Sequence, residues 1–263
     1  MIELNGKVIP QCNFPDGTLL MKCTTPSHTS KIIHWNYEND AELFSLICIV
    51  KKIREEDKNA YIKLFMPYLP HARQDRVKEY NDVFTLKYFC EVINSLDINE
   101  VCIKDVHSNV GIALLDRAKN TMPWPEIERA IKYIPIEREL VAFYPDEGAM
   151  KRYSGGICLP FAFGIKRRDW ETGKIEGLDL AGAVDKINGA DVLIIDDICS
   201  RGGTFYHSAL RLKEAGAANI YLYITHCENT VHEGELLKDN GLIERIYTTN
   251  SILTKYHDKI TLV

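Results

Sequence analysis

The sequence predicts an α/β fold: mostly parallel sheets with helices packed on both faces. Two observations carry this. Apolar runs alternate with amphipathic stretches along the 263 residues, and most unusual polar clusters come directly after an apolar run. Alternating units of this kind build parallel sheets, in which ligands gather at the carboxyl ends of the strands.

The elements follow in order. Residues 32–34, 60–65 and 100–104 read as strands of a first unit. Residues 41–54 read as a helix, because Leu43, Phe44, Leu46, Ile47, Val50 and Ile53 keep the 3.6-residue period. Residues 85–94 and 111–120 read as further helices. Met122-Pro123-Trp124-Pro125 interrupts helical continuity and places a boundary nearby, giving domains at 1–127 and 128–263. In the second, residues 139–144, 190–196, 219–225 and 243–248 read as strands, and 150–155 and 204–215 as helical segments. Residues 166–177 are polar and aperiodic, which reads as a mobile loop or exposed hairpin.

Composition narrows the class. Hydrophobic content of 46% and charged content of 26% are those of a soluble globular protein. A net charge of -5 argues against nucleic-acid binding. No stretch reaches the ~20 apolar residues of a membrane span, and no signal pattern opens the chain. The eight cysteines are dispersed without a C-x-x-C pair, which suits reduced thiols in a cytoplasmic protein better than disulfides or zinc.

The densest chemical signal is Val192-Leu193-Ile194-Ile195-Asp196-Asp197-Ile198-Cys199-Ser200-Arg201-Gly202-Gly203-Thr204. An apolar strand ends in two acids, then turns through a small loop into a helical pattern. The carboxylates suit sugar hydroxyls, and backbone N–H groups at a helix start suit a phosphate. Taken alone, the pattern also fits a plain turn in which Asp197 or Ser200 caps the helix. A second signal, Pro67-Tyr68-Leu69-Pro70-His71-Ala72-Arg73-Gln74-Asp75-Arg76, puts two guanidinium forks after a strand in an acidic protein. Further polar segments are Lys104-Asp105-Val106-His107-Ser108, Tyr144-Pro145-Asp146-Glu147-Gly148-Ala149, Lys166-Arg167-Arg168 and Phe14-Pro15-Asp16-Gly17-Thr18.

In their order along the chain the segments resemble the ribose-phosphate diphosphokinases (PRPP synthetases), from about residue 14 to about residue 262. The Asp-Asp loop is also similar to that of type I phosphoribosyltransferases; the Arg-Gln-Asp-Arg segment separates the two. The resemblance implies two phosphoribosyltransferase-like domains, an N-terminal one for ATP and a C-terminal one for ribose phosphate. It implies ATP contacts from Phe14, Asp16, Arg73, Gln74, Asp75 and His107, the Phe14 loop serving a neighbouring subunit. Ribose-phosphate contacts would come from Asp196, Asp197, Ser200, Arg201, Gly202, Gly203 and Thr204. Mg²⁺ would sit with His107 and Asp146, Asp146 being the better oxygen ligand. Lys166 and Arg168 would neutralise the transferring group. A homo-oligomer, at least a dimer, a place in nucleotide biosynthesis and no nucleic-acid or membrane partner complete the implied picture.

The chain departs from that family at four places. The family's first strand and helix have almost no room before Phe14, and its final helix is missing after residue 258. Thr18 replaces a glutamate of the adenine loop. Ser200-Arg201 replaces an Asp-Thr pair, which removes an acid and adds a guanidinium. Arg201 either rides on the loop surface or offers a fork to more phosphate than a monoester carries. The expected reaction moves the β,γ-diphosphate of Mg-ATP to the 1-hydroxyl of ribose 5-phosphate, giving PRPP and AMP. The alternatives are the same chemistry on a larger acceptor such as ADP-ribose, a phosphoribosyltransferase, and a catalytically silent regulatory homologue.

Overall fold

The computed structural model describes residues 1–27, 30–135, 137–168, 175–239 and 241–263, without the side chains of 166–168 and 175–176. The chain divides into two compact units, Met1–Met122 and Pro123–Val263.

The first unit holds strands β1 (Ile2–Leu4), β2 (Lys7–Val8), β3 (Gln11–Asn13), β4 (Leu19–Met21), β5 (Ser30–Trp35), β6 (Tyr61–Phe65), β7 (Glu100–Lys104) and β8 (Ala118–Thr121). Its helices are α1 (Ala41–Glu56), α2 (Thr85–Ser95) and α3 (Asn109–Leu114). The sheet order is β2-β1-β5-β6-β7-β8, parallel from β5 to β8, with β3 and β4 forming a separate hairpin. Ile33, Trp35, Ile62, Leu64, Val101 and Ile103 are buried in one cluster with Leu46, Ile49 and Ile53 of α1 and Phe89 and Ile93 of α2. The alternate strand residues carry a polar network in which Lys63 and Lys119 both pair with Glu100. Successive strand residues face opposite sides of a sheet, which separates the two sets.

Inside this core, Trp35 Nε1 donates to Glu42 Oε2 (2.9 Å), as does the Glu38 amide (2.9 Å). Glu42 is itself buried. Glu42→Ala is therefore expected to leave a buried indole N–H without a partner and to cost about 1–3 kcal/mol, read as a lowered denaturation midpoint. A midpoint equal to the parent's would contradict this.

The second unit holds β9 (Leu140–Tyr144), β10 (Phe161–Arg168), β11 (Ile175–Gly182), β12 (Asp191–Cys199), β13 (Ile220–Cys227), β14 (Arg245–Thr248) and β15 (Ile260–Leu262). Its helices are α4 (Trp124–Tyr133), α5 (Glu147–Tyr153) and α6 (Gly203–Glu214). The order is β11-β10-β9-β12-β13-β14-β15, parallel except for the β10–β11 pair. Strands β12 and β13 lie at its centre, and their near-continuous apolar runs are buried on both faces. Phe205, Ala209 and Leu212 of α6 pack with Val192, Ile194, Leu222 and Ile224. Trp124 and Tyr153 meet edge-on, Tyr153 stacks on Tyr144 and Tyr133 on Tyr247, which carries α4 and α5 onto the alternate residues of the sheet.

Three expectations change. Strand β12 runs through the acids to Cys199 instead of stopping at residue 196, because its pairing with β13 continues to Cys199↔Cys227. The segment read as one helix over 111–120 is the short α3 followed by strand β8. The interruption at 122–125 opens a helix: Pro125 lies in the first turn of α4, where a missing N–H costs nothing. Of the polar stretch 166–177, Arg168 pairs with Ile175 in an antiparallel ladder, and residues 169–174 lie outside the described residues. No helix among the described residues is long and apolar enough to cross a membrane.

Candidate active site

Strands β9 and β12 pair in parallel, so their carboxyl ends share one edge of the second sheet. At the end of β9, Asp146 caps α5, its Oδ1 accepting from the Ala149 amide (3.1 Å). On β12, Asp196 Oδ1 accepts from the Asp197 amide (2.9 Å). Burial pushes the Asp196 carboxyl well above the ordinary range, and the negative charges of Asp197 and Asp146 push the same way. Three acids thus converge on one strand edge. The guanidinium of Arg152 on α5 has Nη1 3.9 Å from Asp197 Oδ2 and lies over the Tyr153 ring.

The loop beyond β12 is built on its glycines. Gly202 has φ +79°, and a Cβ there would come within 2.2 Å of Leu236 Cδ1. Only glycine fits both the left-handed backbone and the contact. Gly203, the first residue of α6, has open space where a Cβ would stand. Gly203 and Thr204 are exposed, so the helix start faces outward with its amides unclaimed by a side-chain cap. Arg201 turns aside, its Nε and Nη2 donating to Glu233 Oε2 (3.1 and 2.9 Å).

In the first unit the segment after β6 makes its own cluster. His71 adopts φ +62°, its Nε2 lies 3.0 Å from Asp40 Oδ1 and its ring tilts against Phe89. That turn leads to Arg73 and Gln74, both exposed; Gln74 Oε1 accepts from the Thr85 hydroxyl (2.9 Å). Asp75 is buried and receives two bonds from Arg76 (2.7 and 3.0 Å). Arg76 holds its carboxyl below the ordinary range, helped by the Ser108 hydroxyl and the charge of His107. The ends of β6 and β7 therefore bring Asp75, Arg76, His107 and Ser108 together.

Phe14 and Asp16 stand apart from this cluster on the exposed β3–β4 turn. There Asp16 Oδ1 accepts from the Thr18 amide (3.0 Å) and hydroxyl (2.7 Å), which lowers its carboxyl. Lys166 and Arg168 belong to β10, and their side chains lie outside the described residues.

Comparison with known proteins extends the resemblance over nearly the whole chain. No family model matches the chain. Ribose-phosphate pyrophosphokinase of Saccharolobus solfataricus is 25% identical over 269 residues, which cover 100% of this chain and 89% of that protein. The Pyrococcus abyssi enzyme of the same name is 27% identical over 253 residues, 95% of this chain and 86% of that one. Phosphoribosylpyrophosphate synthetase from Mycobacterium smegmatis shares the fold, with a TM-score of 0.76 and 16% identity over 97% of this chain and 85% of that one.

The chain is similar to the ribose-phosphate pyrophosphokinases over nearly its whole length.

It is a transferase of that type, and the pyrophosphokinase likeness covers both the glycine-bounded loop and the Arg-Gln-Asp-Arg segment. Several residues beside these motifs were not singled out in the sequence. Arg152 sits on the helix that Asp146 caps, while Glu228, Thr230 and Glu233 follow β13 and meet the loop from another strand. Their signal was weak because no spacing ties them to residues 196–204. Only the parallel pairing of β12 with β13 does.

Mg²⁺ is the ion this family resemblance implies, and the donor chemistry fits it. Among the described residues no three or more His, Cys, Asp or Glu side chains are grouped to enclose a metal. Mg²⁺ needs less than that, since it binds through one or two carboxylates, several waters and substrate phosphates. The mutual repulsion that raises Asp196 is what a divalent cation beside Asp146 would relieve.

Proposed function

We propose that this protein transfers the β,γ-diphosphate of ATP to the anomeric hydroxyl of ribose 5-phosphate, releasing PRPP and AMP. The observation that carries the reading is the meeting of Asp146, Asp196 and Asp197 beside a loop whose Gly203 leaves space at the start of α6. Asp196 and Asp197 hold the ribose hydroxyls, and the amides of Gly203 and Thr204 receive the 5-phosphate. Arg73, Gln74 and Asp75 position ATP, with His107 beside them on the first unit. The exposed Phe14–Asp16 turn serves adenine in a neighbouring copy, which makes the working form a homo-oligomer. Mg²⁺ would bind through Asp146 on the second unit or through His107 on the first, and when bound would neutralise phosphate charge.

The 1-hydroxyl oxygen attacks the β-phosphorus, the bond to the α-phosphoryl oxygen breaks, and AMP leaves. Lys166 and Arg168 take up the charge that builds on the transferring group. Positioning and electrostatics supply most of the acceleration in such reactions. Lys166→Ala is expected to cut turnover by about a hundredfold or more while the melting temperature stays at the parent value. An unchanged rate removes Lys166 from the mechanism. The reading as a whole is tested by mixing protein, Mg-ATP and ribose 5-phosphate and following AMP; no AMP with any ribose phosphate would favour a silent regulatory homologue.

Arg201 favours a second reading. Its side chain is 72% exposed and pairs with Glu233; an acceptor extending past a single phosphoryl group, such as ADP-ribose, would have to draw the guanidinium from that carboxylate. Turnover of the two sugars side by side separates the readings, and a preference for the monophosphate rejects the second.

A further inference from the structure

The segment that follows β13 is tied to the acceptor loop at successive points. The Glu228 amide donates to the Cys199 carbonyl (2.8 Å), and Arg201 holds Glu233. A Cβ on Gly234 would lie 1.9 Å from the Arg201 carbonyl oxygen, so the two backbones cross in direct contact. Between these ties runs a chain of hydroxyls. Thr230 Oγ1 donates to Glu228 Oε2 (3.1 Å), and the same Oγ1 lies 3.1 Å from Ser200 Oγ.

The direction of the second bond follows from the first. A threonine hydroxyl has one proton, and a carboxylate only accepts. With that proton committed to Glu228, the Ser200 hydroxyl must donate to Thr230. Ser200 Oγ then has lone pairs alone for a ligand. Linked hydroxyls that end at a negative charge polarise one another, which strengthens the outermost oxygen as an acceptor. Ser200 stands where the resembling loops carry an aspartate, and this chain of bonds gives it the same acceptor character from a carboxylate on another strand. A phosphate dianion has no proton to offer such an atom; a sugar hydroxyl has one.

We infer that Ser200 reads a ribose hydroxyl and not the phosphate, and that Glu228, acting through Thr230, is a positioning residue that sets this polarity. The inference rests on the acceptor-site reading above and assigns the phosphate to the amides at the start of α6.

Calorimetric titration with ribose 5-phosphate and, separately, with inorganic phosphate tests it. The proteins are the parent, Thr230→Val, Glu228→Ala and the double variant Ser200→Asp/Glu228→Ala. Thr230→Val and Glu228→Ala are expected to weaken ribose 5-phosphate about tenfold, as loss of a charge-supported hydrogen bond does, and to leave inorganic phosphate within about twofold. The double variant, which moves the acid to the loop, is expected to recover ribose 5-phosphate to within about threefold of the parent. Equal weakening of both ligands, failure of Ser200→Asp to restore affinity, or no binding of ribose 5-phosphate to the parent would each overturn the inference. AMP release is scored apart from this: if the binding pattern holds and ATP yields no AMP, the diphosphokinase reading fails and the polarity of Ser200 stands.

Discussion

Asp196→Asn is expected to melt at a higher temperature than the parent near about pH 7.5 and to have lost about a hundredfold or more of its turnover. Both effects have one cause. Burial and the charges of Asp197 and Asp146 raise the Asp196 carboxyl, so its ionised form is held against a penalty. An acid raised in the folded state contributes stability that is complete below its unfolded pKa. That contribution is lost as pH rises through the folded value. Asparagine keeps the shape without the charge, so the gain in melting temperature is expected above the raised pKa and shrinks toward zero as pH falls into the ordinary carboxylate range. The activity loss follows from the proposed reading, in which the charge that destabilises the free protein would bind the sugar hydroxyls and attract a cation. A variant that melts below the parent at neutral pH would show that the three acids do not repel one another as described.

Gly202→Ala and Gly203→Ala are expected to fail in opposite ways. At Gly202 a methyl group meets Leu236 at 2.2 Å on a backbone of φ +79°. The strain and overpacking together are expected to cost about 2–5 kcal/mol, seen as a lowered denaturation midpoint. At Gly203 nothing lies within 4 Å of the added Cβ, and the residue already opens a helix, where alanine is favoured. That variant is expected to keep its midpoint and lose ribose 5-phosphate affinity by about tenfold or more, because its methyl enters the space left for the phosphate. Chemical denaturation and calorimetric titration read the two variants independently. Unchanged ribose 5-phosphate affinity in Gly203→Ala would remove the start of α6 from the site.

The parts of the fold legible in the sequence are those whose residues are sorted by burial. Val192–Ile195 and the run Ile220–Ile224 are buried on both faces, and α1 hides one stripe, so their apolar patterns survive in the sequence. Strand β8 left no pattern, because Ala118-Lys119-Asn120-Thr121 is a polar strand at the edge of its sheet, paired with β7. Helix α4 was hidden by its prolines, which mark a helix start as readily as a break. At the site, Asp196, Asp197 and Asp146 were legible because each comes after a buried apolar run. The Thr230–Glu228 support was not, since it depends on which strand lies beside β12 and on hydroxyl geometry that no spacing encodes. Asp75 and His107 are brought together by the neighbouring ends of β6 and β7. Phe14 lies on a separate exposed hairpin.

The claim at the centre of this account is that a diphosphate moves intact from ATP to a ribose phosphate. The most direct measurement incubates the protein with Mg²⁺, ribose 5-phosphate and ATP labelled at its β-phosphorus, then follows the label by mass spectrometry. The account predicts label in a sugar bearing a new 1-diphosphate, with one AMP formed for each such sugar. Label remaining in ADP, or AMP formed with the label released as free diphosphate and none on the sugar, would contradict it.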